Sequence, residues 1–259
     1  MPAPDLPHLA IAFAAAFLAG AINSVAGGGT MVSFPTLLWL GLPSVIANAT
    51  NTVAIWPGSL GSLWGFRREL ARTEPRMRLL LIPGIAGGAI GAMLLRMTPP
   101  GIFDRIVPFL ILFATLLFVV QIPVQRWLRT THAAVRRSGA WLIAAGLLQL
   151  AVGIYGGYFG AGISIMMLSI LGVLGMTDIL EMNALTSLFS LSINGVAAIL
   201  FIAAKLIFWP YVLVMAVGAM IGGYGAAGAA RRIGRTAVRA FVIVVGFTIT
   251  IVMFIRMAG

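Results

Sequence analysis

"NSVAGGGTMVSFPTLLWLG", residues 23–41, decides how this chain is read. Three consecutive glycines, Gly27 to Gly29, interrupt an otherwise apolar run. Each glycine in a helix interior costs about 1 kcal/mol relative to alanine, so three in a row mark a break. The flanking residues nevertheless have the apolar character of a membrane segment. A polar break inside such a segment needs a reason.

The rest of the sequence makes lipid the solvent. Of 259 residues, 61% are hydrophobic and 9% charged, and the mean hydropathy is +1.07. A soluble domain has no interior large enough to bury that much apolar surface. Apolar runs between breakers fall at 8–25, 29–41, 44–66, 79–95, 102–121, 139–157, 160–175, 178–204, 207–229 and 237–257. The expected fold is an all-α polytopic membrane protein, a single integral membrane domain over 1–259 with the lipid bilayer as its partner. The segments 29–41 and 160–175 are too short to cross a bilayer comfortably, which suits broken or re-entrant helices. The first run follows MPAPDLPHLA, which lacks the basic region of a cleaved signal, so it reads as a retained membrane segment.

Several function classes are excluded. There is no cysteine, hence no disulfide, thiolate metal site or cysteine nucleophile. His8 and His132 have no ligand partner nearby in the sequence, so neither a metal nor a cofactor is expected. A membrane serine protease needs a helical histidine, and only His8, at the rim of the first segment, is near one. No phosphate-binding G-x-x-x-x-G-K-[ST] motif occurs. The net charge of +11 would suggest nucleic acid in a soluble protein, but the positive residues lie between hydrophobic runs, where they set topology. No nucleic-acid partner is expected.

Those charges set an orientation. Stretches 66–78, 122–138 and 231–239 hold five, four and four arginines, together thirteen of the 17 Lys and Arg. Arg96, Arg105, Lys205 and Arg256 lie at the opposite segment ends. The positive-inside rule makes the three basic stretches cytoplasmic and puts both termini outside, in a multi-pass protein of the cell (inner) membrane.

An internal repeat is also visible. "GGGTMVSFPTLLWLG" (27–41) parallels "GAGISIMMLSILGVLG" (160–175), and "NATN" (48–51) parallels "ALTS" (184–187). Gly84, Gly88 and Ala92 match Gly218, Gly222 and Ala226, and Arg105 matches Arg239. The chain divides into repeat one (8–121), a basic linker (122–138) and repeat two (139–257). Opposite starting sides make the halves inverted-topology repeats, an architecture of secondary transporters whose site lies at the midplane between the repeats.

The glycines now have a purpose. Non-helical backbone at membrane depth persists only when buried in protein or lining a cavity. A break frees N–H groups at the start of the next half-helix, and with the helix dipole they form an anion site. The candidate binding residues are therefore Gly27, Gly28, Gly29 and Thr30 in one repeat and Gly157, Gly160, Gly162 and Ser164 in the other. Neutral polar residues of the third and eighth segments join them: Asn48, Thr50, Asn51, Asn183, Thr186 and Ser187. Asn23, Gln149 and Asn194 are weaker candidates, and Trp56, before Pro57-Gly58, is placed to line a cavity. Gly84, Gly88, Gly218 and Gly222 have the spacing of helix packing instead. Glu181 is a coupling candidate, although an acid near a helix N-terminus is favoured there in any case.

The combination of a Gly-rich break, a proline-containing apolar half-helix, "LGLP" (40–43) and Ala47-x-Ala49-Thr50-Asn51, repeated as "GGYFGAG" (156–162) and "ALTS" (184–187), resembles the sulfite exporter TauE/SafE family of membrane permeases. Ala49 and Leu185 stand where that family usually has glycine. The resemblance implies export of a small sulfur oxyanion or organosulfonate, such as sulfite or sulfoacetate, driven by a proton or another ion. A passive anion channel and a non-transporting membrane assembly or anchor protein are the alternatives, and homo-oligomerisation is left open.

The orientation has a direct check in this cysteine-free chain. Single cysteines placed at Arg68, Arg126 and Arg232 should all react with an impermeant maleimide from the cytoplasmic side only. Labelling of any one of them from outside would overturn the topology.

Overall fold

The computed structural model describes residues 4–25, 27–130, 139–176, 178–233 and 235–258. Every apolar run expected from the sequence is a helix, and no strand occurs among the described residues. In chain order the helices are α1 (Leu6–Val25), α2 (Thr30–Trp39), α3 (Ser44–Gly65), α4 (Arg67–Arg72), α5 (Pro75–Arg78), α6 (Leu81–Met97), α7 (Pro100–Thr130), α8 (Gly139–Tyr158), α9 (Ile163–Val173), α10 (Ile179–Ala203), α11 (Trp209–Ile233) and α12 (Arg235–Ala258). Among the described residues, five stretches are long and apolar enough to cross a bilayer: Leu6–Ser24, Pro75–Met97, Pro100–Val120, Ile179–Ala203 and Ala237–Met257. Side chains such as Ile82, Leu94, Phe109, Val244 and Ile255 are exposed along them, which in lipid is the favourable state.

The two short helices behave as their sequences require. α2 has 10 residues and α9 has 11, so each is about 15 Å long, half a hydrocarbon core. Each is preceded by glycines in the left-handed region: Gly27 (φ +74°) and Gly28 (φ +89°), then Gly160 (φ +78°) and Gly162 (φ +77°). An L-residue pays a steric penalty there, and glycine does not. Each also ends alike, with Leu42 N–H on Leu37 O at 3.1 Å and Met176 N–H on Leu171 O at 3.1 Å.

Helix pairing is dominated by two seams. α1 lies along α11, and α6 lies along α8. Exchanging α1 with α8, α2 with α9, α3 with α10, α6 with α11 and α7 with α12 turns one seam into the other. The same exchange converts the α3–α11 contact into α10–α6 and the α2–α12 contact into α9–α7, while α3–α10 and α7–α12 map onto themselves. Both seams are backbone to backbone. A Cβ on Gly222 would strike Phe17 O, and one on Gly91 would strike Ile154 O. A Cβ on Gly157 would strike Gly88 O, while one on Gly88 itself would face α10, 3.0 Å from Ile193 O. Gly84, Gly88, Gly218 and Gly222 are thus packing residues. The side chain of Ala226 falls outside the described residues.

Two basic stretches differ from the sequence expectation. The run 102–121 continues as α7 to Thr130, so the first part of the linker 122–138 is helix; 131–138, with His132, Arg136 and Arg137, lie outside the described residues. Pro123 sits inside this helix and has no N–H for the carbonyl four residues earlier, Val119 O. Arg239 supplies the missing donor: Nη2 reaches Val119 O at 2.9 Å and Nε reaches Phe118 O at 2.7 Å. Around 231–239, α11 and α12 run almost to one another, leaving only position 234 between them.

Filling either seam should cost folding before function. Gly91→Val and Gly222→Val insert methyl groups against backbone, a change typically worth about 1–3 kcal/mol. Both should lower the monodisperse fraction on size exclusion in detergent, whereas Gly101→Ala, with nothing within 4 Å, should not. Equal yields for all three would show that the seams tolerate side chains.

Candidate functional site

The two glycine breaks meet. A Cβ on Gly27 would lie 3.7 Å from Ser164 Cβ and 3.8 Å from its Oγ, and one on Gly160 would lie 3.5 Å from Asn194 Oδ1. Both breaks open onto one cavity of about 560 Å³. Its walls come from α1 (Gly20, Asn23, Ser24), α3 (Ile55 to Gly65 on one face, with Phe66 beyond), α10 (Thr186, Ser187, Ser190, Asn194) and α11 (Ala219, Gly223, Tyr224), with Thr30 and Ser164 from the short helices. The α3 residues span about ten positions, so the cavity runs roughly 15 Å along that helix.

Each break is held by one side chain of the helix before it. Asn23 Oδ1 accepts Gly29 N–H at 2.7 Å, and Tyr155 Oη donates to Ala161 O at 2.6 Å. Other backbone donors are left over. Met31, Val32, Ser33, Ile163, Ile165 and Met166 N–H all find carbonyls in the turns. Among the described residues, the N–H groups of Gly28, Thr30, Gly162 and Ser164 have no protein acceptor, the carbonyl four residues before Thr30 being that of residue 26, which lies outside them. These four residues line the cavity.

Among the described residues, the cavity has polar groups but no ionisable one except the Tyr224 phenol: no described Asp, Glu, Lys, Arg or His side chain is in its lining. Thr186 is 5% exposed, and its Oγ1 has no partner. Ser190 Oγ makes only a weak contact with Met167 Sδ, 3.7 Å away. Trp56 Nε1 donates to Leu191 O at 2.9 Å, and its ring lies against Gly195, where a Cβ would come 3.1 Å from Nε1. The indole thus ties α3 to α10 at the cavity wall. Two sets of N–H groups at helix starts, plus neutral hydroxyls and amides, favour an anion over a cation.

Of the residues singled out in the sequence, Gly27, Gly28, Thr30, Gly160, Gly162, Ser164, Thr186 and Ser187 share this cavity, with Asn23, Asn194 and Trp56. The others are placed elsewhere. Gly29 packs on Ala19 O, and Gly157 packs on α6. Asn48 Nδ2 donates to Tyr158 O at 2.9 Å, and Thr50 Oγ1 accepts Phe208 N–H at 3.0 Å. Asn51 is buried, and Asn183 is half-buried outside the lining. Gln149 lies against Gly84. Glu181 sits in the first turn of α10, where Asp178 Oδ1 accepts Leu180 N–H at 2.8 Å as the cap. Gly28 is at once a wall residue and a packing residue, because its missing Cβ points into the Phe118 ring. Ser59, Ser190 and Tyr224 were not singled out. Ser190 was within reach, since Thr186, Ser190 and Asn194 form one i, i+4, i+8 stripe.

Relatives place this geometry. A "Probable membrane transporter protein" of Haemophilus influenzae is 29% identical over 243 residues, covering 93% of this chain and 92% of its own. "Probable membrane transporter protein ORF9" of a Sinorhizobium species is 29% identical over 219 residues, 83% of this chain and 80% of its own. "Probable membrane transporter protein YfcA" of Escherichia coli K12 is 28% identical over 220 residues, 83% of this chain and 77% of its own. No solved structure matches. Residues 12–253 match the family described as sulfite exporter TauE/SafE. With almost its whole length matched, the chain belongs to the TauE/SafE family: it is a multi-pass membrane protein of a transporter family and not an enzyme.

Proposed function

We propose that the protein is a secondary transporter that exports a small anion, a sulfur oxyanion or an organosulfonate such as sulfite or sulfoacetate, by alternating access between two inverted repeats. The observation that carries this is the meeting of the two glycine breaks in one cavity where, among the described residues, several N–H groups have no protein acceptor and no side chain is charged. A sulfo group presents three oxygens to such donors. The charge, desolvated at membrane depth, would otherwise cost many kcal/mol.

Several observations support inverted repeats and two-sided access. The packing seams interchange when the halves are exchanged. The cavity reaches Gly65, Phe66 and Tyr224, at the end of α3 that carries the basic stretch 66–78. With that stretch cytoplasmic, the cavity faces inward. The equivalent region on the other side, between α6, α8 and the first turns of α3, is sealed by the Gly87–Leu150 and Gly157–Gly88 backbone contacts and by the Asn48–Tyr158 and Thr50–Phe208 hydrogen bonds. A passive channel would need polar lining on both sides, whereas this lining takes nothing from α6. Both termini lie outside in this arrangement.

The test is efflux from proteoliposomes loaded with sulfite, sulfoacetate, taurine or acetate, with and without an imposed pH gradient. The protein should accelerate loss of at least one sulfur anion over empty liposomes. Thr186→Val should retain the folded yield, since it removes a buried hydroxyl that has no protein partner, and should lower transport about tenfold, the worth of one hydrogen bond to an anion. No efflux of any anion by well-folded protein, or unchanged transport by Thr186→Val, would overturn the assignment of this cavity.

A further inference from the structure

Three buried oxygens on one face of α3 have no protein donor: Ser44 Oγ, Asn48 Oδ1 and Asn51 Oδ1. The residues are 5%, 1% and 1% exposed. At helical spacing, positions 44, 48 and 51 fall within an arc of about 60°; Asn48 neighbours both of the others, while Ser44 and Asn51 lie two turns, about 10.5 Å of rise, apart. They lie outside the walls of the anion cavity.

The orientation of Asn48 is fixed by its neighbour. Its Nδ2 donates to Tyr158 O at 2.9 Å, so Oδ1 must present lone pairs away from that bond. Tyr158 is also the last residue of α8, so the negative end of that helix points at the same place. The opposing positive end of α3 is confined to its first turn, and Asn48 and Asn51 lie beyond it. Acceptors thus collect here without a donor. Buried polar atoms at membrane depth find a partner, and acceptor oxygens beside a helix C-terminus are how transporters of this architecture hold a coupling cation.

We propose that Asn48 and Asn51, with carbonyl oxygens at the end of α8, form a binding site for a monovalent hard cation, sodium, with the Ser44 hydroxyl one turn away holding a water of the ion's shell. All the side-chain donors are neutral oxygens. Without a carboxylate they do not offset the dehydration of a divalent ion, and without nitrogen or sulfur they do not select a transition metal. Among the described residues no cluster of His, Cys, Asp or Glu could hold a metal elsewhere. The second repeat has Leu180, Ala184 and Ser187 at the matching positions, so the site is single and breaks the symmetry of the halves. Its role as a coupling site rests on the transporter reading above; the binding itself does not.

The experiment measures binding without transport. Thermal unfolding of the detergent-solubilised chain is followed in sodium, potassium and choline chloride at constant ionic strength. Sodium at 100 mM should raise Tm by roughly 3–5 °C over choline, as a dissociation constant of about 10 mM would give. Asn51→Leu should abolish the shift. Ser44→Ala, which removes one hydroxyl and carries the test if Asn51→Leu folds poorly, should reduce it at least by half. Identical Tm in all three salts would overturn the site and assign the oxygens to water. A sodium shift that survives in the variants would place sodium elsewhere and overturn it as well. If sodium binds as expected while no anion leaves proteoliposomes, the export reading fails and the cation site stands.

Discussion

A polypeptide in lipid cannot leave backbone donors and acceptors facing hydrocarbon, and that constraint organises this molecule. α1 and α8 each stop, and α2 and α9 each restart after a few residues of non-helical backbone. Part of the resulting need is met locally: Asn23 takes the N–H of Gly29, and Tyr155 takes the carbonyl of Ala161. The neighbouring residues Gly28, Thr30, Gly162 and Ser164 line a polar cavity. The cavity is thus required by the breaks as much as the breaks are required by the cavity.

Holding that space open demands stiff walls, and hydrophobic burial cannot supply them because lipid is as apolar as leucine. The chain uses close backbone approach instead. Gly218 and Gly222 let α11 settle on Phe13 and Phe17 of α1, and Gly87 and Gly91 let α6 settle on Leu150 and Ile154 of α8. Arg239 shows the same economy of polar groups at a different place. Its guanidinium bridges Val119 O, orphaned by Pro123, and Phe118 O, and Phe118, whose carbonyl it holds, presses its ring against Gly28. A proline at the end of α7 is in this way connected to the first break.

The helices and the breaks were legible in the sequence because their signals are local. Apolar length locates a membrane helix, and Gly27–Gly29 and Gly160–Gly162 locate its interruptions. The packing role of Gly84, Gly88, Gly218 and Gly222 was legible too, since small-xxx-small spacing has no use at a turn. The fate of Asn48, Thr50 and Asn51 was not legible. Helical phase gives the face a residue occupies but not which neighbour that face meets. Asn48 meets the end of α8, 110 residues away, and Thr50 meets the N–H of Phe208, 158 residues away. Gly157 was grouped with its break by proximity in sequence, yet it lies one turn earlier, on the α6 seam. The run of α7 past 121 was masked by its basic residues, which mark a membrane boundary but do not end a helix.

Thr50 and Thr186 occupy matching places in the two halves, and their difference carries information about state. The hydroxyl of Thr50 is engaged by Phe208 N–H, on the side where α6, α8 and α3 are packed shut. The hydroxyl of Thr186 is buried, has no partner and borders the cavity. In an ideal two-fold arrangement the two would be bonded alike or free alike. On the transporter reading, the inequality is the record of one side being closed and the other open. Opening the sealed side would then have to release Thr50 and Asn48 together, because both tie the start of α3 to the opposite half. Closing the cavity would have to find a partner for Thr186. A bound anion meets that need in the open form, so substrate and closure compete for the same hydroxyl. That competition gives the site a physical reason to let go of its substrate as the conformation turns over.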